Sequence, residues 1–150
     1  MNRFLATTHS AWLTLASILA ACGDNEDPGP VSSTSTEGMS DPRRPKIAAF
    51  FSDVPQLDET GVVTFTVMIT DSDGLDTLVG GTLKAPDGAA IYGPLSQLSG
   101  GTFALQLSWQ QMNEKVPIEF KTDERRTFRV EISDQDGHKA TSEVEVTLAC

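Results

Sequence analysis

From Lys46 onward, apolar residues recur at every second position, a period that suits half-buried β-strands and no helix. Val63, Phe65, Val67 and Ile69 share one side of such a run, with Thr64, Thr66 and Thr70 on the other. The same alternation returns in Phe103, Leu105, Leu107 and Trp109; in Val116, Ile118 and Phe120; in Phe128, Val130 and Ile132; and in Val144, Val146 and Leu148. Ile47 to Phe51, Val79 to Leu83 and a weaker run near Ile91 bring the expected count to seven or eight strands. Gln110 to Glu114 leaves room for one short turn of helix.

Strands of this number and spacing, separated by turn residues, suit an all-β fold: a single antiparallel β-sandwich around one core. A small jelly roll or barrel is the alternative. Cysteine occurs only at positions 22 and 150, so no disulfide can staple the interior of the domain. Packing must hold it, and Phe65, Val67, Leu105, Trp109, Phe128 and Val130 are the expected core.

The N-terminus has a different character. A short basic start, Met1 to Arg3, leads into a mostly apolar stretch from Phe4 to Ala20, closed by small residues before Cys22. That layout is a secretory signal rather than a membrane span, which needs about 20 residues of cleaner hydrophobicity. The tetrapeptide Leu19-Ala20-Ala21-Cys22 resembles the lipobox of bacterial lipoproteins. The resemblance implies cleavage before Cys22, a diacylglyceryl thioether on its sulfur and often an acyl chain on the freed amine. Two or three chains anchor firmly where a single one, at about 0.8 kcal/mol per buried methylene, is marginal. The implied location is the cell envelope, with outer membrane favoured over inner.

Between Gly23 and Pro45 the composition shifts to Gly, Pro, Ser, Thr and acidic residues, too poor in apolar side chains to offset the entropy of ordering. This stretch is expected to be a flexible spacer with a reach of about 25 to 30 Å. The expected organisation is therefore a signal over 1–21, the lipidated cysteine and linker over 22–45, and the sandwich over 46–150. Cys150 is left over, as a free thiol or an intermolecular disulfide.

Two stretches of the domain carry a second resemblance. Val62 to Leu75 reads VVTFTVMITDSDGL, and Thr127 to Leu148 reads TFRVEISDQDGHKATSEVEVTL. Each holds an alternating strand ending in Asp-x-Asp-Gly, and the second resembles the closing hairpin of the bacterial Ig-like superfamily, which includes PKD and cadherin-like domains. In the Ig strand order the two Asp-x-Asp-Gly turns fall at one end of the sandwich. Asp71, Asp73, Asp76, Asp134 and Asp136 would then converge, and a pole of carboxylates is a candidate Ca²⁺ site. Against it stands ordinary turn chemistry, since Asp-Gly favours tight hairpins.

With 21 acidic and 11 basic residues the net charge is −10, which repels phosphate backbones and argues against nucleic-acid binding. Beyond the signal the sole histidine is His138, so histidine metal clusters are excluded, and neither a G-x-S-x-G elbow nor a phosphate-binding glycine loop occurs. The basic stretch from Lys121 to Arg129, with Arg125, Arg126 and Arg129, is expected as a solvated loop. The function expected is a non-enzymatic binding or structural module with a protein or glycan partner. A calcium-stabilised adhesion module is the first alternative and a small envelope hydrolase the second.

Overall fold

The computed structural model describes residues 43–119 and 121–149. Cys22, the spacer up to position 42, Phe120 and Cys150 lie outside the described residues. Nine strands form: β1 (Lys46–Ser52), β2 (Gln56–Leu57), β3 (Val62–Thr70), β4 (Leu78–Lys84), β5 (Ile91–Pro94), β6 (Ser96–Ser99), β7 (Thr102–Ser108), β8 (Glu124–Asp134) and β9 (Lys139–Leu148). Among the described residues one α-helix, α1 (Trp109–Lys115), joins β7 to β8, and a single 3-10 turn over Leu75–Thr77 precedes β4.

The strands build two sheets, ordered β1-β3-β7-β6 and β2-β9-β8-β4-β5. Neighbours pair antiparallel, except that β2 runs parallel to β9. Two open sheets facing each other make a sandwich, not a barrel. Inward residues of both sheets interdigitate: Phe50, Val63, Phe65 and Val67 from one, Leu83, Phe128, Val130, Ile132 and Val146 from the other, all nearly inaccessible. Phe65 and Phe128 meet across the layers with ring centroids 4.7 Å apart, and Tyr92 packs on Phe128 at 4.9 Å. Among the described residues the buried core cluster runs from Phe50 to Leu148, with Ile47 packed against it.

Three expectations change. Leu105 pairs with Phe65 and faces the core but is only half-buried, whereas Phe103 and Leu107 are buried. Trp109 is buried as expected, yet it opens a helix instead of ending a strand. The helix starts there because Ser108 and Gln111 form a capping box, in which the Ser108 hydroxyl accepts the Gln111 N–H and the Gln111 side chain accepts the Ser108 N–H. Trp109 and Met112, three apart, put one helical face into the core.

Val116 and Ile118 lie in no strand, and Phe120 is outside the described residues. Pro117 has no N–H to give a ladder. Residues 116–119 instead run as an irregular plug that buries Ile118, whose N–H is donated to the Asn113 side chain at 2.8 Å. Arg126 holds the plug from the other side, donating to the carbonyls of Val116 and Pro117 at 3.0 and 3.2 Å.

Candidate functional site

The predicted basic loop is not a loop. Arg125, Arg126 and Arg129 all lie in β8, which begins at Glu124. Arg126 occupies an inward position, only 7% exposed, where its guanidinium bonds Glu124 at 2.7 Å besides the two plug carbonyls. Arg125 and Arg129 point outward on the same strand. They belong to a lattice of charges on the outer face of the second sheet: Arg129 pairs with Glu143 at 2.6 Å, Glu131 with Lys84 at 2.6 Å and Lys139 at 3.0 Å, and Arg125 with Glu145 at 3.9 Å. Hydrogen bonds from Lys84 and then Lys139, acting against partial burial, hold the Glu131 carboxyl below its ordinary range.

The two Asp-x-Asp-Gly turns do fall at one end. Gln135 N–H is donated to the Thr77 carbonyl at 2.9 Å, joining the β8–β9 turn to the β3–β4 loop. Gly74 and Gly137 take φ of 106° and 84°, the left-handed backbone these turns require and glycine tolerates. The carboxylates themselves serve the turns. Asp71 accepts the Asp73 N–H at 3.0 Å and the Thr77 hydroxyl at 3.4 Å. Asp134, 6% exposed, accepts the His138 N–H at 2.8 Å through one oxygen and meets the ring Nδ1 at 2.9 Å through the other. Asp73, Asp76 and Asp136 do not join them: among the described residues, no three Asp, Glu, His or Cys side chains are grouped so as to hold a metal ion. Addition of Ca²⁺ to the purified protein is accordingly expected to leave its thermal midpoint unmoved, and a rise of several degrees specific to Ca²⁺ over Mg²⁺ would contradict this geometry.

Burial pushes the Asp134 carboxyl upward, but the His138 ring and N–H and the Asp136 N–H more than offset it, and the net effect is a lowering. A carboxyl lowered by folding contributes stability that is complete above its unfolded value and fades as pH falls through its folded value. Asp134→Asn is therefore expected to destabilise the protein at neutral pH and to flatten the acid limb of a stability–pH curve. An acid limb identical to the parent's, measured by urea denaturation, would show that this pair does not contribute.

The outer face of the first sheet contrasts with the charged lattice. In all four of its strands Lys46 is the only charged residue. The outward residues run in cross-strand rows: Phe51, Thr66, Ala104 and Ser96 in one, Ala49, Met68, Thr102 and Ser99 in the next. Thr64 beside Gln106 and Val62 beside Ser108 complete it toward the far end. Charge returns only at the margins, with Lys46 opposite Thr70 and Asp53 accepting the Thr64 N–H at 2.7 Å. Phe51, Val62 and Met68 are 41%, 46% and 46% exposed on these rows, and Leu98, at the bulge of edge strand β6, is 65% exposed. A central β3 that shows Val, Thr and Met to solvent is unusual for a sheet with one wet side, where polar and charged residues normally alternate with the core. Apolar area of this kind makes the face a candidate contact surface.

Two depressions are present as well. One, of about 400 Å³, is lined by Ala85, Pro86, Asp87, Tyr92, Val116 and Arg125 among others. Burial raises the Tyr92 hydroxyl, with Arg126 opposing. The second, of about 370 Å³, lies between Arg44, Lys46, Thr70, Asp71 and Ser72. Both are open and shallow-walled, and neither gathers the charge-free rows of the first sheet.

No family model matches the chain, and no curated protein matches it. Among solved structures, the domain is similar to the PKD1 domain of Epp from Vibrio anguillarum, at 16% identity over 71% of this chain and 94% of that one, with a TM-score of 0.42. The two packed sheets themselves make the domain a β-sandwich.

Proposed function

We propose that this protein is a lipid-tethered, non-enzymatic binding or structural module of the cell envelope, most suited to the outer membrane, that holds a protein partner on the outer face of the β1-β3-β7-β6 sheet. The observation that carries the reading is the division of the two outer faces. One is a lattice of ion pairs, already satisfied within the chain. The other carries no charged residue in its four strands but Lys46 at one end, with exposed Phe51, Val62 and Met68. Interface cores are depleted in charge and enriched in aromatic residues and methionine, which matches the second face. Phe51 is its one exposed aromatic ring, which favours a protein partner over stacking of sugar rings.

The tether reading is supported by the apolar stretch ending in Leu19-Ala20-Ala21-Cys22. The first strand begins at Lys46, so a tether from Cys22 reaches the sandwich at the pole that carries both Asp-x-Asp-Gly turns. Acidic turns close to anionic headgroups keep the domain from lying down on the membrane.

Two linked measurements test this. Fractionation with metabolic labelling by an alkyne fatty acid is expected to find the parent labelled and membrane-bound and Cys22→Ala unlabelled. A photo-crosslinking residue at position 66, on the charge-free face, is expected to capture protein in cells well above one at position 141, on the charged face. Equal capture at the two positions would overturn the assignment of the face, and a membrane-bound, unlabelled parent would overturn the tether.

A further inference from the structure

The partner of this face can be specified. We propose that the outer face of the β1-β3-β7-β6 sheet is an isologous interface between two copies of this chain, related by a two-fold axis that runs along the strands midway between β3 and β7. The inference rests on the binding-module reading above and names the occupant of that same face.

Three observations support a second copy. The first is the gradient of side-chain size. In three of the cross-strand rows the β1 and β3 side carries Phe51, Val62 and Met68 and the β7 and β6 side Ser96, Ala104, Thr102 and Ser108, while Gln106 lies in the row of Thr64 and exposed Leu98 sits at the β6 bulge. A two-fold axis along the strands keeps each row in register and exchanges its ends. Phe51 of one copy then meets Ser96 of the other, Met68 meets Thr102, and Val62 meets Ser108. Bulk falls opposite a small side chain in these three pairs, as a self-complementary patch requires.

Charge supplies the second observation. Two molecules of net charge −10 repel each other by most approaches, but this face brings charge to the contact only at its margins, at Lys46 and Asp53. Copies can therefore meet here without burying an unpaired ion. Uncharged Thr and Ser hydroxyls on the outward rows keep such a face soluble while it is open.

The third is area together with orientation. Strands about 4.8 Å apart and rising about 3.3 Å per residue give a face on the order of 500 Å² per copy. The pair would bury about 1,000 Å², near the lower limit for a specific interface. A dimer of that size is weak in dilute solution. The proposed axis sets both Lys46 ends at the same pole, so that both tethers enter one membrane, and shared tethering raises the effective concentration of one copy around the other. An axis across the strands would send the two tethers to opposite poles.

Disulfide trapping in membranes tests the geometry, using the full chain with Cys150→Ser as background. Phe51 and Ser96 of one copy stand three strands apart, about 14 Å, too far to close a bond within the chain. After mild oxidation, the double variant Phe51→Cys/Ser96→Cys is expected to run as a dimer, and neither single variant is. Adding Thr66→Lys, which places a charge beside the axis, is expected to weaken the dimer band about tenfold or more, with the thermal midpoint of the purified protein unchanged. Absence of the dimer in the double variant would overturn the interface, as would single variants that dimerise equally well. Fractionation of the same samples reads the tether separately: a dimer found in the soluble fraction upholds the interface and removes the tether.

Discussion

Phe128→Ala is expected to lower the stability of the domain by about 3 to 5 kcal/mol, the usual cost of emptying a fully buried aromatic site. Phe128 is inaccessible to solvent in β8, in contact with Phe65 of the opposite sheet at 4.7 Å and Tyr92 at 4.9 Å. Its ring is the contact through which the two layers and the β5 edge are joined, so truncation removes buried area and leaves a cavity that three different strands would have to move to fill. Domains are stable by about 5 to 15 kcal/mol, and a loss of this size consumes much of that margin. Urea denaturation should show a lower midpoint at unchanged slope. Phe51→Ala supplies the comparison, because Phe51 lies next to buried Phe50 yet points outward and is 41% exposed. Its effect on the isolated domain is expected to stay within about 0.5 kcal/mol. Similar losses at 51 and 128 would mean that the inward and outward faces are wrongly assigned.

The second large effect is expected at Arg126. Arg126→Met keeps much of the aliphatic stem but strips the donors that hold Glu124 and the carbonyls of Val116 and Pro117. Those carbonyls belong to a segment without strand partners, so they have no ladder to fall back on. A loss of about 2 to 4 kcal/mol is expected, from broken charge-assisted hydrogen bonds and a half-buried carboxylate left without its cation. Amide exchange should rise over residues 116–119 before it rises elsewhere. Arg125→Met is the control: that side chain is 78% exposed and reaches Glu145 only at 3.9 Å, so little change is expected. Equal effects at the two arginines would refute the anchoring role.

Arg126 also explains part of what sequence reading missed. Alternation marked Phe128, Val130 and Ile132 as inward, and the structure extends the same side to Arg126 and Asp134. Charged residues at inward positions break the apolar pattern, so the start of β8 reads as a basic loop until the partners that neutralise it are placed. At 116–119 the error runs the other way, for Val116 is half-buried and Ile118 buried, but burial at every second residue does not supply a ladder partner. The edge strand β6, Ser-Gln-Leu-Ser, is exposed throughout and leaves no periodic signal. The β3 run, by contrast, was legible residue by residue because its apolar and threonine positions alternate without a break.

The candidate site was harder to see. Aspartates draw attention as ligands, and their turns do meet at one pole, but whether carboxylates converge depends on side-chain directions that spacing does not determine. The charge-free face is written in the sequence as VVTFTVMIT, TFALQLS and SQLS, three runs without a single ionised residue. The first two read alone as ordinary strands and the third as no strand at all. Only the strand order β1-β3-β7-β6 places their outward residues side by side and turns three unremarkable runs into one surface.

That surface is the central claim, and its accessibility in the cell tests it most directly. In a Cys150→Ser background, the rate at which a maleimide labels Thr66→Cys would be measured in intact envelopes and again in dilute purified protein, with Thr141→Cys on the charged face as reference. The expected result is labelling at position 66 several-fold slower in envelopes than in dilute solution, with no such slowing at position 141. Equal rates for position 66 in the two settings would show that nothing covers the face, and would contradict its role as a site of recognition.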